Sequence, residues 1–418
     1  MNELDVWIDD ESLGGSARVG RLSKTASRTG DTIAFEYDPG WLASTGPVIG
    51  FPLDHELFLG AGPQYARAGA GKLPGVFQDC SPDRWGKRLM DRREAIEARE
   101  QGRSVRNLRE WDYLTGVNDE ARMGALRLVD PEHGRYVDDR TLGAPPVTEL
   151  RRLEAISAEV ERGDADLSDQ MVAWIKQIVA PGATLGGARP KASFRDPGGQ
   201  LWLAKFPSSD DRTNVGLWEF LAWQLSVAAG IDMPAARLER FSDRGHTFAV
   251  QRFDRTSASR RMFSSAMTRL DVTESEGCSY LDLVQVIETS GTSTHIAGEL
   301  EQMFRRVLFN ILIGNRDDHL RNHGFLRTGD GWLLSPAFDV NPNPDKDHHV
   351  LAINEYDPTP DSRLLLDTAD YYRLSSEATR AVTEQVRTAV RGWERAARAL
   401  GAHSAEIALM QAVIDPER

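Results

Sequence analysis

The chain has 418 residues, 40% of them hydrophobic and 27% charged, with a formal net charge of −13. This composition is that of a globular protein long enough for two or three domains or one large two-lobed unit. It argues against a general nucleic-acid binder, because phosphate contacts need local positive charge, and no run approaches the roughly 18 apolar residues that span a bilayer.

The opening MNELDVWIDDESLGG is acidic and lacks the basic and apolar regions of a secretory signal. Leu4, Val6 and Ile8 alternate with polar residues, and DTIAFEYDPGWL follows with turn residues after it, so residues 1 to about 60 predict strands and turns of a small sheet. Cys80 and Cys278 are the only cysteines, which leaves no disulfide framework and fits a reducing cytoplasm. Residues 82–100, PDRWGKRLMDRREAIEARE, predict a helix. ARMGALRLVD and the Gly-Arg-Tyr segment after it predict further strands, and TELRRLEAISAEVERG a helix that Thr148 is suited to cap. A second compositional region opens at PGATLGGARPKASFRD and continues through a strand, LWLAKFP. It then runs into a long helix, NVGLWEFLAWQLSVAAG, ending at Gly230, and a strand-like HTFAVQRFDR. Beyond about residue 279 the pattern is helical, interrupted by an island carrying NRDDHLRNHGFLR and GWLLSPAFDVNPNP.

That island bears the strongest chemical signal. Asp317 and Asn322 stand in Asp-x-x-x-x-Asn spacing, and Asp339 follows 17 residues after Asn322. Phosphoryl transfer from ATP needs Mg²⁺, hard oxygen ligands for it, and a carboxylate to orient or deprotonate the acceptor hydroxyl. Asp317 suits the carboxylate role; Asn322 and Asp339 suit the metal. An Asp/Asn-rich loop before Phe-Asp also reads as an ordinary capping turn. His319 reads as a loop-orienting residue beside the nucleotide, with zinc ligation the alternative; His348 and His349 are equally ambiguous.

Lys205, in the LWLAKFP strand, is suited to neutralise the nucleotide α and β phosphates, with Glu219, fourteen residues later, to position it. A surface lysine and a solvated glutamate are the plainer alternatives. Gly186, Gly187 and Ala188, followed by Arg189 and Lys191, permit close backbone approach to phosphate, or form a simple flexible turn. Gln251 and Phe253 of QRFDR are candidates for the adenine border, or for a strand end closed by a local salt bridge.

In this order the motifs resemble the HipA family of bacterial serine/threonine kinases, toxins of type II toxin–antitoxin pairs. LPGVFQDCSPDRWG at 73–86 is similar to the segment joining that family's N-terminal subdomain to the kinase body, and DEARMGALRL at 119–128 to the stretch after it. LGGARPKASF resembles the Gly-rich loop, LAKFP the strand of the ATP-binding lysine, QRFDR the segment beside adenine, NRDDHLRNHGF the catalytic loop and AFDV the Mg²⁺-binding segment.

The resemblance implies an α+β, bilobal, protein-kinase-like fold with a small β-rich N-terminal subdomain and a mainly helical C-lobe. The corresponding divisions are residues 1–95, 96–258 and 259–418. It implies ATP and Mg²⁺ as cofactors, catalysis by Asp317 with Lys205, Asn322 and Asp339, and Asn322 and Asp339 as metal ligands. Cofactor contacts are expected from Gly186, Gly187, Ala188, Lys191, Lys205, Glu219, Gln251, Phe253, His319, Asn322 and Asp339. The family's autophosphorylated serine falls at Thr184 here. A protein substrate tied to translation is expected, together with a small helix-turn-helix antitoxin that contacts operator DNA on the toxin's behalf. A small-molecule phosphotransferase using the same residues and a non-catalytic scaffold remain the alternatives.

Overall fold

In the computed structural model, which describes residues 1–27, 30–67, 69, 71–139, 144–162, 187–257 and 259–418, the alternating Leu4, Val6 and Ile8 are fully buried. They lie along the strand Glu3–Asp10, where Asp10 continues the buried face and Glu3, Asp5, Trp7 and Asp9 reach solvent to varying degrees, as a strand with one covered face requires. The chain divides into two units, Met1–Ser209 with Gln251–Ser264, and Asp210–Val250 with Ser265–Arg418.

The first unit carries a five-stranded sheet ordered Gly30–Tyr37, Gly15–Ser27, Glu3–Asp10, Leu126–Asp130, Arg135–Tyr136, with all neighbours antiparallel. The three N-terminal strands form a meander, and Leu126–Asp130 returns from far along the chain to pair beside the first. The predicted helix spans Arg84–Glu100, and Asp83 caps it by accepting from the Gly86 N–H at 2.8 Å. Trp85 and Met90 of this helix pack with Val160 of the helix Leu150–Arg162, and Leu89, Ile96 and Ile156 extend the cluster. Thr148 does not cap that second helix. It lies inside a 3₁₀ turn, Val147–Glu149, that leads directly into the helix, after Pro145 and Pro146 have already set the direction of entry.

Lys191–Arg195 and Leu201–Lys205 form an antiparallel hairpin in which Lys191 is the register partner of Lys205. Asp196 shapes its turn, accepting from the Gly198 and Gln200 N–H groups at 2.9 Å each. Every residue of Leu201–Lys205 is buried.

In the second unit the helix Val215–Ala228 is followed by an antiparallel hairpin of Ala236–Ser242 and Gly245–Gln251, which belongs to this unit up to Val250. Its centre is the helix Ile296–Ile313, buried without a break from Met303 to Ile313. Such continuous burial calls for neighbours on every side. Tyr280–Ser290, Ser362–Asp367 and Ser376–Arg391 pack on it. A short hairpin, Gly324–Arg327 with Trp332–Leu334, follows it, and the buried Arg306 donates to the Ser335 carbonyl at 2.7 Å, fixing the hairpin's exit to the helix. The architecture is therefore mixed α and β, with a β-rich N-terminal region and a mainly helical C-terminal part. Among the described residues no helix is long and apolar enough to cross a membrane.

Candidate active site

The central helix of the second unit ends at Gly314, whose φ of 73° closes the last turn in a left-handed cap. A Cβ there would meet Val413 at 2.9 Å, so glycine is required on both backbone and packing grounds. The chain then enters the loop NRDDHLRNH. Its anchor is Asp318, whose carboxylate accepts from the Tyr280 hydroxyl and from Asn310 Nδ2 at 2.7 Å each, and pairs with His323 Nε2 at 2.8 Å. Burial pushes the Asp318 carboxyl up, but the adjacent His323 and these hydrogen bonds hold it below the usual carboxylate range. Asn310 also accepts from Asn315 Nδ2 at 3.0 Å, so one helical side chain orders both ends of the loop's first half.

With the loop so fixed, Asp317 faces outward, its side chain 54% exposed and ion-paired with Lys346. Asn322 lies in a 3₁₀ turn, Leu320–Asn322, and donates to the Asp317 carbonyl at 3.3 Å. Asp339 has a φ of 58°. The left-handed region costs a non-glycine residue on the order of 1–2 kcal/mol, least for Asp and Asn, and such strain gathers at functional sites. Asp317, Asn322 and Asp339 line a single cavity of about 450 Å³, together with Asn315, Asn341 and Asp345.

The oxygens of this cavity fit a hard divalent cation. Asn322 Oδ1 is buried and has no hydrogen-bond partner, and the same holds for Asn341 Oδ1. Oxygens screened from water and left without a donor, on a cavity shared with the Asp339 carboxylate, match what Mg²⁺ takes from protein. A larger groove of about 880 Å³ elsewhere in the unit has alanine-rich walls, with Leu225, Ala381, Ala389 and Ala396 among them. Glu384 is the carboxylate on its wall, and no aspartate or asparagine joins it.

The remaining sequence candidates are distributed as follows. His319 is half-buried with Nδ1 unpartnered. Among the described residues the grouping of metal-competent His, Cys, Asp and Glu side chains is Asp130, Glu132 and His133, which does not include His319. Glu219 is buried on the helix Val215–Ala228, and its neighbour Trp218 reaches the cavity wall. Lys205 is buried at the end of its strand in the first unit. Lys191 is also buried there, with its ammonium 2.6 Å from Asp83 Oδ2 and 3.3 Å from the Gly187 carbonyl. Gly187 has a φ of 90°, and Ala188 is exposed. Gly186 and Thr184 lie outside the described residues. Gln251 donates to Gln200 Oε1 at 3.3 Å, and the Phe253 ring packs 5.9 Å from Phe263.

The strand ends at Gln251, and the following RFDR folds into an internal ion-pair hub. Asp254 takes both Arg252 and Arg255 at 2.6–2.7 Å and the Gly124 N–H at 2.7 Å. Asp318, Tyr280, Asn310 and His323 were not singled out from the sequence. The available signal for Asp318 and His323 is the Asp-Asp pair with a histidine just past Asn322.

Residues 4–128 match the profile of the HipA N-terminal domain, and residues 183–393 that of the HipA-like C-terminal domain. The chain belongs to the HipA family. Among solved structures, the HipA of Shewanella oneidensis MR-1, in complex with HipB and its operator DNA, matches with a TM-score of 0.65 at 17% identity. That match covers 98% of this chain and 94% of that one. It shows a HipA-like fold along nearly the whole length. The proinflammatory kinase CtkA of Helicobacter pylori matches over 54% of this chain and 88% of its own at 13% identity and a TM-score of 0.38, too low to support an argument. No curated protein matches. In this HipA-family chain both profile matches include buried cores, and the C-terminal one spans the Asp317, Asn322 and Asp339 cavity.

Proposed function

We propose that this HipA-family chain is an ATP- and Mg²⁺-dependent serine/threonine protein kinase. The observation that carries the reading is the convergence of Asp317, Asn322 and Asp339 on one cavity although 22 residues separate the first from the last. Bound Mg²⁺–ATP supplies the phosphoryl group and the neutralisation of its charge. The rest is positioning by the chain's own residues.

Asn322 and Asp339 hold the metal through Oδ1 and the carboxylate. Asp317 accepts the proton of the acceptor hydroxyl, which competes with the Lys346 ammonium for the carboxylate. Asp318, buried behind it, keeps the loop in register so that Asp317 projects outward. Lys205 is assigned to the nucleotide phosphates on its buried strand position and its place in the motif order. Gln251 and Phe253 are assigned to the adenine, Glu219 and His319 to positioning, and the Gly186–Ala188 loop to the phosphates. Lys191 serves that loop indirectly: its pairing with Asp83 ties the strand after the loop to the N-terminus of the helix Arg84–Glu100.

The family and the Shewanella complex support a further reading, in which the chain is the toxin of a toxin–antitoxin pair and joins a small helix-turn-helix antitoxin that carries operator DNA. A net charge of −13 fits a chain that leaves DNA contact largely to its partner. Its substrate is proposed to be a translation-related protein, phosphorylated in the cytoplasm, with Thr184 as the site of self-modification.

The test is incubation of the full chain with γ-labelled ATP, Mg²⁺ and lysate of the source cell, followed by phosphosite mapping. Phosphoserine or phosphothreonine on a lysate protein, absent with Asp317→Ala, is expected. Label found solely on small alcohols overturns the protein-kinase reading in favour of a small-molecule phosphotransferase.

A further inference from the structure

Asn341 lies two residues beyond Asp339, on the wall of the cavity that holds Asp317 and Asn322. Its Oδ1 is shielded from solvent and has no hydrogen-bond donor. Buried polar atoms in folded proteins are nearly always paired, and an exception points to an ion or water that the site is built to take. Two amide oxygens on one cavity share this condition, Asn322 Oδ1 and Asn341 Oδ1, with the Asp339 carboxylate between them in sequence. Three oxygens from two segments, two of them lacking any donor, describe a receptor for a hard cation more closely than a hydrogen-bonding surface.

The backbone around Asn341 is held in place rather than left to adapt. Pro342 follows it directly and restricts it to extended conformations, and Pro344 stiffens the next turn. The Asn343 N–H donates to the Gly314 carbonyl at 2.8 Å, which ties the segment to the cap of the central helix. Asn343 Oδ1 in turn accepts from the Asp345 N–H at 2.9 Å, and Arg316 donates to the Lys346 carbonyl at 2.5 Å. The segment that follows Asp339 is thereby fastened to the segment that carries Asn322. A ligand oxygen needs this kind of support if binding is not to be offset by the entropy of ordering it.

We propose that Asn341 is a third protein ligand of the divalent cation held by Asn322 and Asp339, through its side-chain oxygen. The inference rests on the kinase reading only in supposing that the cavity takes a divalent cation. With three protein oxygens, an octahedral ion retains three positions for phosphate oxygens and water.

The test is Mn²⁺ titration of the full chain, read by the electron paramagnetic resonance of free Mn²⁺, with and without a non-hydrolysable ATP analogue. Wild type, Asn341→Ala, Asn341→Asp and Asn322→Ala are compared. Asn341→Ala is expected to weaken Mn²⁺ at least about tenfold, the loss seen when even the outer partners of a ligand are disturbed. Asn341→Asp, which keeps the oxygen and adds charge, is expected to bind at least as tightly as wild type. A titration unchanged in Asn341→Ala while Asn322→Ala weakens overturns the role of Asn341 and leaves the kinase reading standing. An equal loss in Asn341→Ala and Asn341→Asp also overturns it, by showing that the amide matters for packing alone. No Mn²⁺ binding by the wild type in either state removes both.

Discussion

His323 Nε2 stands 2.8 Å from Asp318 Oδ2, both side chains buried, so the residue after Asn322 is tied to the residue after Asp317. The two groups assigned to chemistry are thus flanked by a pair that does none. The pair sets their spacing, and Tyr280 and Asn310 anchor it to two helices.

Asp318→Ala leaves three buried donors without an acceptor. At about 1–3 kcal/mol for each unsatisfied group, the loss should reach at least about 3 kcal/mol in urea unfolding, and phosphoryl transfer should fall with it. Tyr280→Phe removes a single donor and should cost only about 1 kcal/mol. Equal effects of the two substitutions would show that Asp318 is not the common acceptor.

Asp254 anchors the first unit in a comparable way. Burial pushes its carboxyl up, but the guanidinium groups of Arg252 and Arg255 more than offset this and hold it well below the usual range. A depressed folded-state value stabilises the protein above about pH 4, and that contribution fades as pH falls toward the folded-state value. Asp254→Ala strands two buried cations and should cost about 3–5 kcal/mol at neutral pH, with Asp254→Asn costing less. A urea midpoint for Asp254→Ala matching wild type would contradict this account of the hub.

His349 supplies a pH dependence of the opposite chemical kind. Burial lowers its imidazole to about 4, against about 6.5 in an unfolded chain. Below the unfolded value the unfolded state binds the extra proton, so stability drops as pH falls from about 6.5 to about 4 and then levels. Between pH 7 and pH 5 the wild type should lose about 2 kcal/mol more than His349→Leu. Parallel losses in the two proteins would show that His349 does not govern acid sensitivity.

The sequence made much of this legible, because period and spacing are local properties. The alternation of Leu4, Val6 and Ile8 located a half-covered strand, and the helical pattern beyond about residue 279 anticipated the helices there, the central Ile296–Ile313 among them. Asp317, Asn322 and Asp339 were readable because hard-oxygen residue types recur at a recognisable interval. What stayed hidden depends on partners distant in the chain. Nothing near Lys191 shows that its ammonium is held by Asp83, 108 residues earlier. The local salt bridge that QRFDR allows is present as Arg252–Asp254, but nothing nearby shows that Asp254 also accepts from the Gly124 N–H, 130 residues away in the chain. Thr148 has the chemistry of a cap, yet the 3₁₀ turn places it within the helix entry. Asn341 stands in an Asn-Pro pair that reads as a turn, and only the fold shows that its oxygen lacks a donor.

The cavity of the second unit is proposed to carry out phosphoryl transfer, with Asp317 acting on the acceptor rather than on the nucleotide. The most direct measurement pairs two readings on the same preparations of wild type and Asp317→Ala: Mg²⁺–ATP affinity by calorimetry, and phosphate incorporation into protein from γ-labelled ATP. The account predicts affinity within about threefold of wild type and transfer reduced by at least about a hundredfold, as loss of a general base implies. Transfer that persists in Asp317→Ala at near the wild-type rate would contradict the claim.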